Sequence, residues 1–419
     1  MSTPLLVQGD ARALPLPDAS VDLIVTSPPY FGQRDYRDAG GSLAGQIGAE
    51  GTPREYIASL LAVTRECMRV LKPAGSLFVN LGDKYAGSGG GGNGSSDGHT
   101  EQHDRPPRPG HGLAAKSQML LPERYRIGCV DELGLIARAV IIWKKANGLP
   151  ESVTDRVRCA HENVYHFTKS GRYYSATDEI REPGSDYARL PPSRATPNGQ
   201  RPRTMTNTCN PLGRAPGSVW EIASQPLNVP DHVAHKRCCG GRKRKGCEDG
   251  LDHYAAFPFA LVRPIILGWS PREVCIACGE GRRPVADRTK VPDRPGRVQH
   301  RSVDALLGGH GADGRAGSRF ISTVSTTGYA CACPDTTAPA TPGIVLDPFG
   351  GTGSTGLVAA MHGRIGVSVD ASWDYTGGIA RWRVNDPHER ARAAGLEPEK
   401  VSVIPRLAPG QGSLFDGTG

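Results

Sequence analysis

The segment Thr26-Ser27-Pro28-Pro29-Tyr30 closes an apolar β-run, VDLIVTSPPY, and offers a particular polar chemistry. Two successive prolines fix the backbone and remove two N–H donors, so the carbonyl oxygens there project as rigid acceptors. With the Ser27 hydroxyl beside the Pro28 carbonyl, such a strand end suits an amino group. An amine conjugated to a ring is a poor nucleophile because its lone pair is delocalised. Two acceptors holding its N–H bonds would aim that lone pair at an electrophile, which is a contribution of positioning. Tyr30 adds a flat face on which a heterocycle can stack. Open α/β sheets hold their ligands at this carboxyl end of the strands. A bare SPPY, however, is also what a strand-ending turn looks like.

The second constellation is a glycine turn, Asp347, Pro348, Phe349, Gly350, Gly351, Thr352 and Gly353, with Ser354 opening the helix that follows. It sits between the strand IVL and a small-residue helix, in the stretch PGIVLDPFGGTGSTGLVAAMHGRIGVSVDAS, which forms one βαβ unit. Glycines let the backbone approach a ligand closely, and the helix N-terminus favours electron-rich groups. Asp370, ending the next strand, is placed to accept from ribose hydroxyls. The bland alternative is a tight turn that packs helix on sheet. A dinucleotide enzyme competes for the motif, but the turn lacks GxGxxG spacing, with Phe349 where the first glycine belongs.

Eleven cysteines are present, and seven crowd into 238–333. Cys275-x2-Cys278 and Cys331-x-Cys333 arrive as two close pairs, which can close a tetrahedral zinc site and staple an insertion too polar to fold unaided. The other reading is four unligated thiols on loops. Cys238, Cys239 and Cys247, with His232 and His235 nearby, are irregularly spaced, which favours an inert basic loop over a second metal site. Around them Lys236, Arg237, Arg242, Lys243, Arg244 and Lys245 form the densest positive run in the chain. Such runs are usually solvated, but this one suits phosphate contacts.

These groups need a scaffold, and the patterning supplies one. Residues 5–9 and VDLIVT predict two early strands of a parallel sheet. Thr52, Pro53 and Glu55 give an N-cap, a first-turn proline and a capping-box acid ahead of YIASLLAVTRECMRV, which predicts a helix. GSLFVNLGD, LIARAVIIW and ENVYHFT predict further strands, and LLPERYRIGCVDELG a helix. This alternation favours a doubly wound α/β sheet. Glu162, in ENV, reads as ordinary strand. The Gly, Ser and Pro-rich stretch of about 86–115 predicts a mobile surface loop, and 181–216 is a long segment without periodicity. Apolar spacing over 253–269 predicts a helix.

With 419 residues, a sizeable core is expected, in one large domain with insertions or in two. The net charge of +8 suits a polyanionic partner without requiring one. No apolar run approaches bilayer length, and MSTPLLVQGD lacks the regions of a signal peptide, so a soluble intracellular protein is expected.

SPPY followed much later by DPFGGTG resembles the DNA amino-methyltransferases of restriction-modification type, in the subgroup where the catalytic half precedes the cofactor half. VQGDARALPLPDASVDLIVTSPPY, LGDKYAGSG, DRVRCAHENVYHFTKSGRYY, GSVWEI and HYAAFPFALV are similar to further family landmarks, in order. The resemblance implies a Rossmann-like sheet with circularly permuted motif order. It implies S-adenosylmethionine as cofactor, held by Asp347, Phe349, Gly351 and Gly353, with its ribose on Asp370 and its adenine at Asp10. Phe257 and Pro258 close the pocket. It implies that Ser27, Pro28 and Tyr30 carry a base flipped from double-stranded DNA. Members acting on adenine N6 usually have Asp or Asn in place of Ser27, and members acting on cytosine N4 usually have Ser, so cytosine N4 is expected here. A cognate restriction enzyme and a cytoplasmic, nucleoid-associated setting in a prokaryote or phage fit the same picture.

The expected organisation is a catalytic half over 1–180, a target-recognition segment over 181–225, and a basic insert with a pocket helix over 226–270. A zinc-binding insertion over 271–340, a cofactor half over 341–385 and a tail over 386–419 follow. Methylation at cytosine C5 is excluded, because that chemistry needs a thiolate, normally from a Pro-Cys dipeptide, and none exists in the sequence. Adenine N6 methylation and a non-catalytic zinc-dependent DNA-binding protein remain as alternatives.

Overall fold

Strands and helices are mixed along the chain from Leu5 onward. The strands β1 (Leu5–Gln8) and β2 (Val21–Thr26) precede helix α1 (Pro53–Val70) and strand β3 (Leu71–Leu81). Helix α2 (Leu121–Asp131), β4 (Ile136–Lys145), β5 (His161–Thr168) and β6 (Val219–Ile222) come next. Beyond them lie α3 (Phe259–Trp269), β7 (Glu273–Cys275), β8 (Arg283–Pro292), β9 (Phe320–Ala330) and β10 (Ala340–Pro342). The cofactor-type unit closes the series with β11 (Ile344–Asp347), α4 (Ser354–Met361) and β12 (Ile365–Asp370), ahead of the short helices α5 (Arg381–Asn385) and α6 (Pro387–Ala394). This computed structural model describes residues 3–33, 37–38, 41–42, 45–87, 113–148, 151, 153–182, 213–225, 227, 229–234, 257–292, 320–335 and 337–396. The expected loop over 86–115 falls mostly outside these residues, as do most of 181–216 and the start of the helix expected over 253–269.

Eight strands form one sheet in the order β1-β12-β11-β2-β3-β5-β4-β6. All run parallel except β5, which is antiparallel to both β3 and β4. Strands from the two ends of the sequence are therefore interleaved: β12 lies between β1 and β11, and β11 abuts β2. The predicted capping box forms at α1. Glu55 N–H donates to the Thr52 hydroxyl at 3.2 Å, and Thr52 N–H donates to the Glu55 carboxylate at 2.9 Å, satisfying two otherwise orphaned donors.

The central strands are largely apolar because both faces are covered. Alternate residues of β2 and β3 enter different cores: Ile24, Leu77 and Val79 pack with α1 and α2, while Leu23, Val25 and Phe78 pack with α3 and α4. The doubly wound architecture follows from this two-sided burial. No helix among the described residues is long and apolar enough to cross a membrane.

Candidate active site

The carboxyl ends of β1, β12, β11, β2 and β3 lie next to one another along the parallel part of the sheet. Sequence-distant residues meet there. The Thr26 hydroxyl donates to Asp347 Oδ1 at 2.7 Å, joining the last residue of β2 to the last residue of β11. Asp347 Oδ1 also accepts from Phe349 N–H at 3.1 Å, and Oδ2 accepts from the Thr355 hydroxyl at 2.8 Å. Burial pushes this carboxyl up to about 6, against the pull of those hydroxyls. Asp347 thus holds the turn and joins it to β2. Tyr30 and Phe349 pack against the same core cluster, so the proline-rich strand end and the glycine turn share one face.

The turn itself is pinned to β12. Gly350 N–H donates to the Val369 carbonyl at 2.8 Å, and a Cβ on Gly350 would stand 2.6 Å from Ser368 Cβ. Gly351 and Gly353 then take φ of +48° and +76°, conformations that only glycine adopts cheaply. Gly351 N–H donates to Asp370 Oδ2 at 2.8 Å and Ser372 N–H to Asp370 Oδ1 at 2.9 Å, so the acid at the end of β12 is oriented by backbone. Thr352 and Ser354 turn inward. Their hydroxyls accept from Nη1 of the fully buried Arg383 at 2.8 and 2.7 Å, while Arg383 Nε donates to Glu389 at 2.6 Å. Sequence reading missed Arg383, which lies in no motif. Asp10 follows β1 and is gripped by Arg12 at 2.7 Å, which holds its carboxyl below the usual carboxylate range. Pro258 caps α3, and Phe257 lies half-buried against the core on that side of the sheet. Pro348 precedes the glycines in the turn.

On the other side of Thr26, the backbone is held by helix α1: the Tyr56 hydroxyl donates to the Pro29 carbonyl at 2.8 Å. Ser27 is half-exposed and Pro28 buried. The Tyr30 ring lies over Gly82, where a Cβ would come within 2.9 Å of Tyr30 Cε2. Its hydroxyl donates to Glu162 Oε2 at 2.7 Å and accepts from Asn80 Nδ2 at 2.9 Å. Burial, with the Glu162 charge second, drives the Tyr30 phenol well above its ordinary value, keeping it neutral. Glu162, expected as plain strand, is instead a polar centre of the site. Its carboxylate also takes Asn80 Nδ2 at 2.8 Å and an ion pair from Lys145. Asn80, Lys145 and Glu162 come from three different strands, so no spacing in the chain announces them.

Away from this face, the Cys275, Cys278, Cys331 and Cys333 sulfurs all lie within 4.8 Å of one another. Backbone N–H groups of Cys278 and Ala277 point at the Cys275 sulfur and pull its thiol down to about 7. Cys275 ends β7, which pairs with β10 just ahead of β11. The two pairs bracket the β8–β9 ribbon. The basic run Lys236, Arg237, Arg242, Lys243, Arg244 and Lys245 lies outside the described residues.

Known proteins match part of this chain. The Type II methyltransferase M.XycI of Xanthomonas campestris pv. cyanopsidis is 38% identical over 265 residues, 62% of this chain and 71% of that protein. The Type II methyltransferase M.SmaI of Serratia marcescens is 38% identical over 186 residues, 43% of this chain, and the chain spans only 61% of its length. A solved structure, the PvuII DNA methyltransferase (cytosine-N4-specific), superposes with a TM-score of 0.48 at 17% identity, covering 94% of this chain and 96% of that chain. The family model described as DNA methylase matches residues 21–277, from the start of β2 to the first cysteine pair. With SPPY inside that match and more than half of the residues covered, the chain belongs to the DNA methylase family.

Proposed function

We propose that this chain transfers a methyl group from S-adenosylmethionine to the exocyclic amino group of a base flipped out of double-stranded DNA, cytosine N4 in preference to adenine N6. The observation that carries the reading is the buried Thr26–Asp347 hydrogen bond, which ties the strand end bearing Ser27 and Tyr30 to the glycine turn. The relatives named Type II methyltransferases support it, as does the side chain at position 27, which is neither Asp nor Asn.

The residues fit the cofactor. Gly350 packs so closely on Ser368 that no side chain fits there, which leaves backbone as the lining of the turn. Asp370 is braced by two backbone donors at the end of β12, where it is placed to accept from ribose hydroxyls. S-adenosylmethionine, when bound, supplies an electrophilic methyl on a positively charged sulfur. The protein's part is positioning. The Ser27 hydroxyl and the Pro28 carbonyl hold the two N–H bonds of the amine and expose its lone pair. Tyr30 stacks on the extruded base, and Phe257, Pro258 and Asp10 flank the cofactor. The catalytic half precedes the cofactor half, so one sheet is built from a permuted motif order.

Zinc suits the cysteine cluster. A Zn–S bond of about 2.3 Å sets tetrahedral sulfurs about 3.8 Å apart, compatible with four thiols within 4.8 Å. Four thiolates leave no open position, so the metal's role is structural. The DNA contacts of the basic run at 236–245 and the target-reading role of 181–225 belong to the same proposal, with a restriction enzyme as a potential partner in a cytoplasmic, nucleoid-associated setting.

The test is to incubate the purified protein with unmethylated genomic DNA and S-adenosylmethionine, then identify the nucleosides by mass spectrometry. N4-methylcytosine is expected. N6-methyladenine would replace the base assignment. No methylated nucleoside, together with no calorimetric binding of S-adenosylmethionine, would leave a non-catalytic DNA-binding protein.

A further inference from the structure

The connection between β4 and β5, residues 146–160, lies at the same end of the sheet as Ser27 and Tyr30. Leu81, the last residue of β3, faces Asn163, and Lys144 faces His161, so β4 leaves the sheet and β5 enters it beside the site. Lys145 N–H donates to the Ala160 carbonyl at 3.0 Å and closes the base of this connection. Its later part is braced. Lys116 pairs with Asp155 at 2.6 Å, and the Arg156 guanidinium lies 3.9 Å from the Tyr85 ring centre while pairing with Glu151 at 2.9 Å. Tyr85 closely follows Gly82, which carries the Tyr30 ring, and Lys84 between them donates to the Gly32 carbonyl at 2.9 Å. Glu162, which accepts from the Tyr30 hydroxyl, follows Val157 in the chain so closely that their backbones are at most about 18 Å apart. Within this braced segment Val157 is 88% exposed, more than any other large hydrophobic side chain among the described residues. A lone exposed apolar residue means little by itself. This one stands between two arginines, at the end of the sheet from which a duplex has to approach Tyr30. Arg156 is engaged by Tyr85 and Glu151, whereas Arg158 is exposed and forms no ion pair among the described residues, with only a long contact of 3.4 Å from Nη1 to the Gly148 carbonyl.

We propose, resting on the base-flipping methyl transfer put forward above, that Val157 is a wedge that enters the duplex where the target base has left it, with Arg158 on a neighbouring phosphate. An extruded base gives up its pairing and its stacking on both neighbours. An apolar side chain filling the gap restores contact with those neighbours, as apolar wedges do between base steps. Val157 suits the task on two counts. Its β-branched side chain has little rotamer freedom to lose, and at 88% exposure it gives up little packing when it leaves solvent for the stack. The charge beside it is complementary, since a guanidinium fits a phosphate in a bidentate manner. Arg156 is a positioning residue: through Tyr85 it ties the wedge to the segment that carries the Tyr30 ring. The side that displaces the base and the side that receives it are thereby set at a fixed separation.

The experiment compares the full-length wild type with Val157→Ala, Val157→Leu and Arg158→Ala on a duplex bearing the site mapped by methylation-sensitive sequencing. Base extrusion is read from 2-aminopurine fluorescence at the target position, and methyl transfer from single turnovers. In Val157→Ala both should fall by about tenfold, while Val157→Leu, which keeps an apolar side chain of sufficient size, should stay within about threefold of wild type. On a duplex whose target base faces an abasic site, where no pairing opposes extrusion, the Val157→Ala rate should return to within about threefold of wild type. A defect of folding or of the chemical step would persist on that duplex. Arg158→Ala should weaken binding alike on all sequences and lower the salt slope of binding by about one. A fall of less than about threefold in Val157→Ala, or a defect that the abasic partner leaves uncorrected, overturns the wedge and leaves the methyl transfer standing. An unaltered salt slope in Arg158→Ala overturns the phosphate contact. Failure of the wild type to methylate any DNA removes the proposed activity itself, and the wedge with it.

Discussion

Thr26 Oγ1 donates to Asp347 Oδ1 at 2.7 Å, across a sequence separation of 321 residues, and this buried bond is where the two halves of the site are joined. Its acceptor has a testable titration. Burial raises the Asp347 carboxyl from 3.8 to about 6 in the folded protein. The folded state therefore keeps this proton to higher pH than the unfolded chain. Stability from protonation here is fully present below about pH 4 and lost as pH rises through about 6. The loss relative to Asp347→Asn, which does not titrate, should be about 3 kcal/mol between those limits. Denaturant unfolding of both proteins over that pH range measures it, and parallel curves would rule it out.

Gly82→Ala should separate the base side of the site from the cofactor side. The new Cβ would lie 2.9 Å from Tyr30 Cε2 and push the ring out of place. Misplacement of a positioning group on that scale costs up to about 100-fold in rate. Methylation of DNA should fall at least tenfold, while calorimetric affinity for S-adenosylmethionine stays within about twofold. Equal loss of both would place Gly82 outside the base-binding side.

The opposite pattern is expected at the turn. A Cβ on Gly350 would stand 2.6 Å from Ser368 Cβ and 3.0 Å from its Cα, where little can yield. Gly350→Ala should lift the turn from β12, weakening S-adenosylmethionine binding by an order of magnitude or more and lowering stability by about 1–3 kcal/mol. Calorimetry alongside thermal melting reads both effects. Unaltered affinity in the folded variant would show that the turn does not line the cofactor.

Removing the metal tests the cysteine cluster. Native mass spectrometry of purified protein should find one zinc per chain, lost in Cys331→Ser. Chelation should expose 276–340 to limited proteolysis before the rest of the fold. Because β7 pairs with β10, which leads directly into β11, the melting temperature should fall as well. A metal-free protein with unaltered proteolysis would leave four unligated thiols.

Arg383 offers a stability test free of any cofactor. Its guanidinium is fully buried among Thr352, Ser354, Glu389 and the Phe259 ring, 4.4 Å away. Arg383→Met leaves Glu389 without its main partner and should cost about 3–5 kcal/mol, seen in denaturant melts. Restoring neutrality with Glu389→Gln in the same chain should recover part of it. No recovery would show that the pair contributes packing alone.

Local patterning in the sequence determined the elements: the capping box at Thr52, the two-sided apolar runs of β2 and β3, and the βαβ unit around the glycine turn. Each depends on neighbours a few residues apart, and the spacing of side chains on a helix or strand is fixed by backbone geometry. The motifs SPPY and DPFGGTG also lay open to inspection because each is contiguous. Tertiary structure alone decided which strands lie side by side. Glu162 read as ordinary strand, and Asn80, Lys145 and Arg383 carried no signal, because they reach the site across strand and helix pairings with no fixed sequence separation. Asp347 read as a ligand contact, and the fold adds to it hydrogen bonds from Thr26, Phe349 and Thr355 that no motif announced. A buried carboxylate needs partners wherever the fold supplies them, and those partners come from parts of the chain whose adjacency no local pattern encodes.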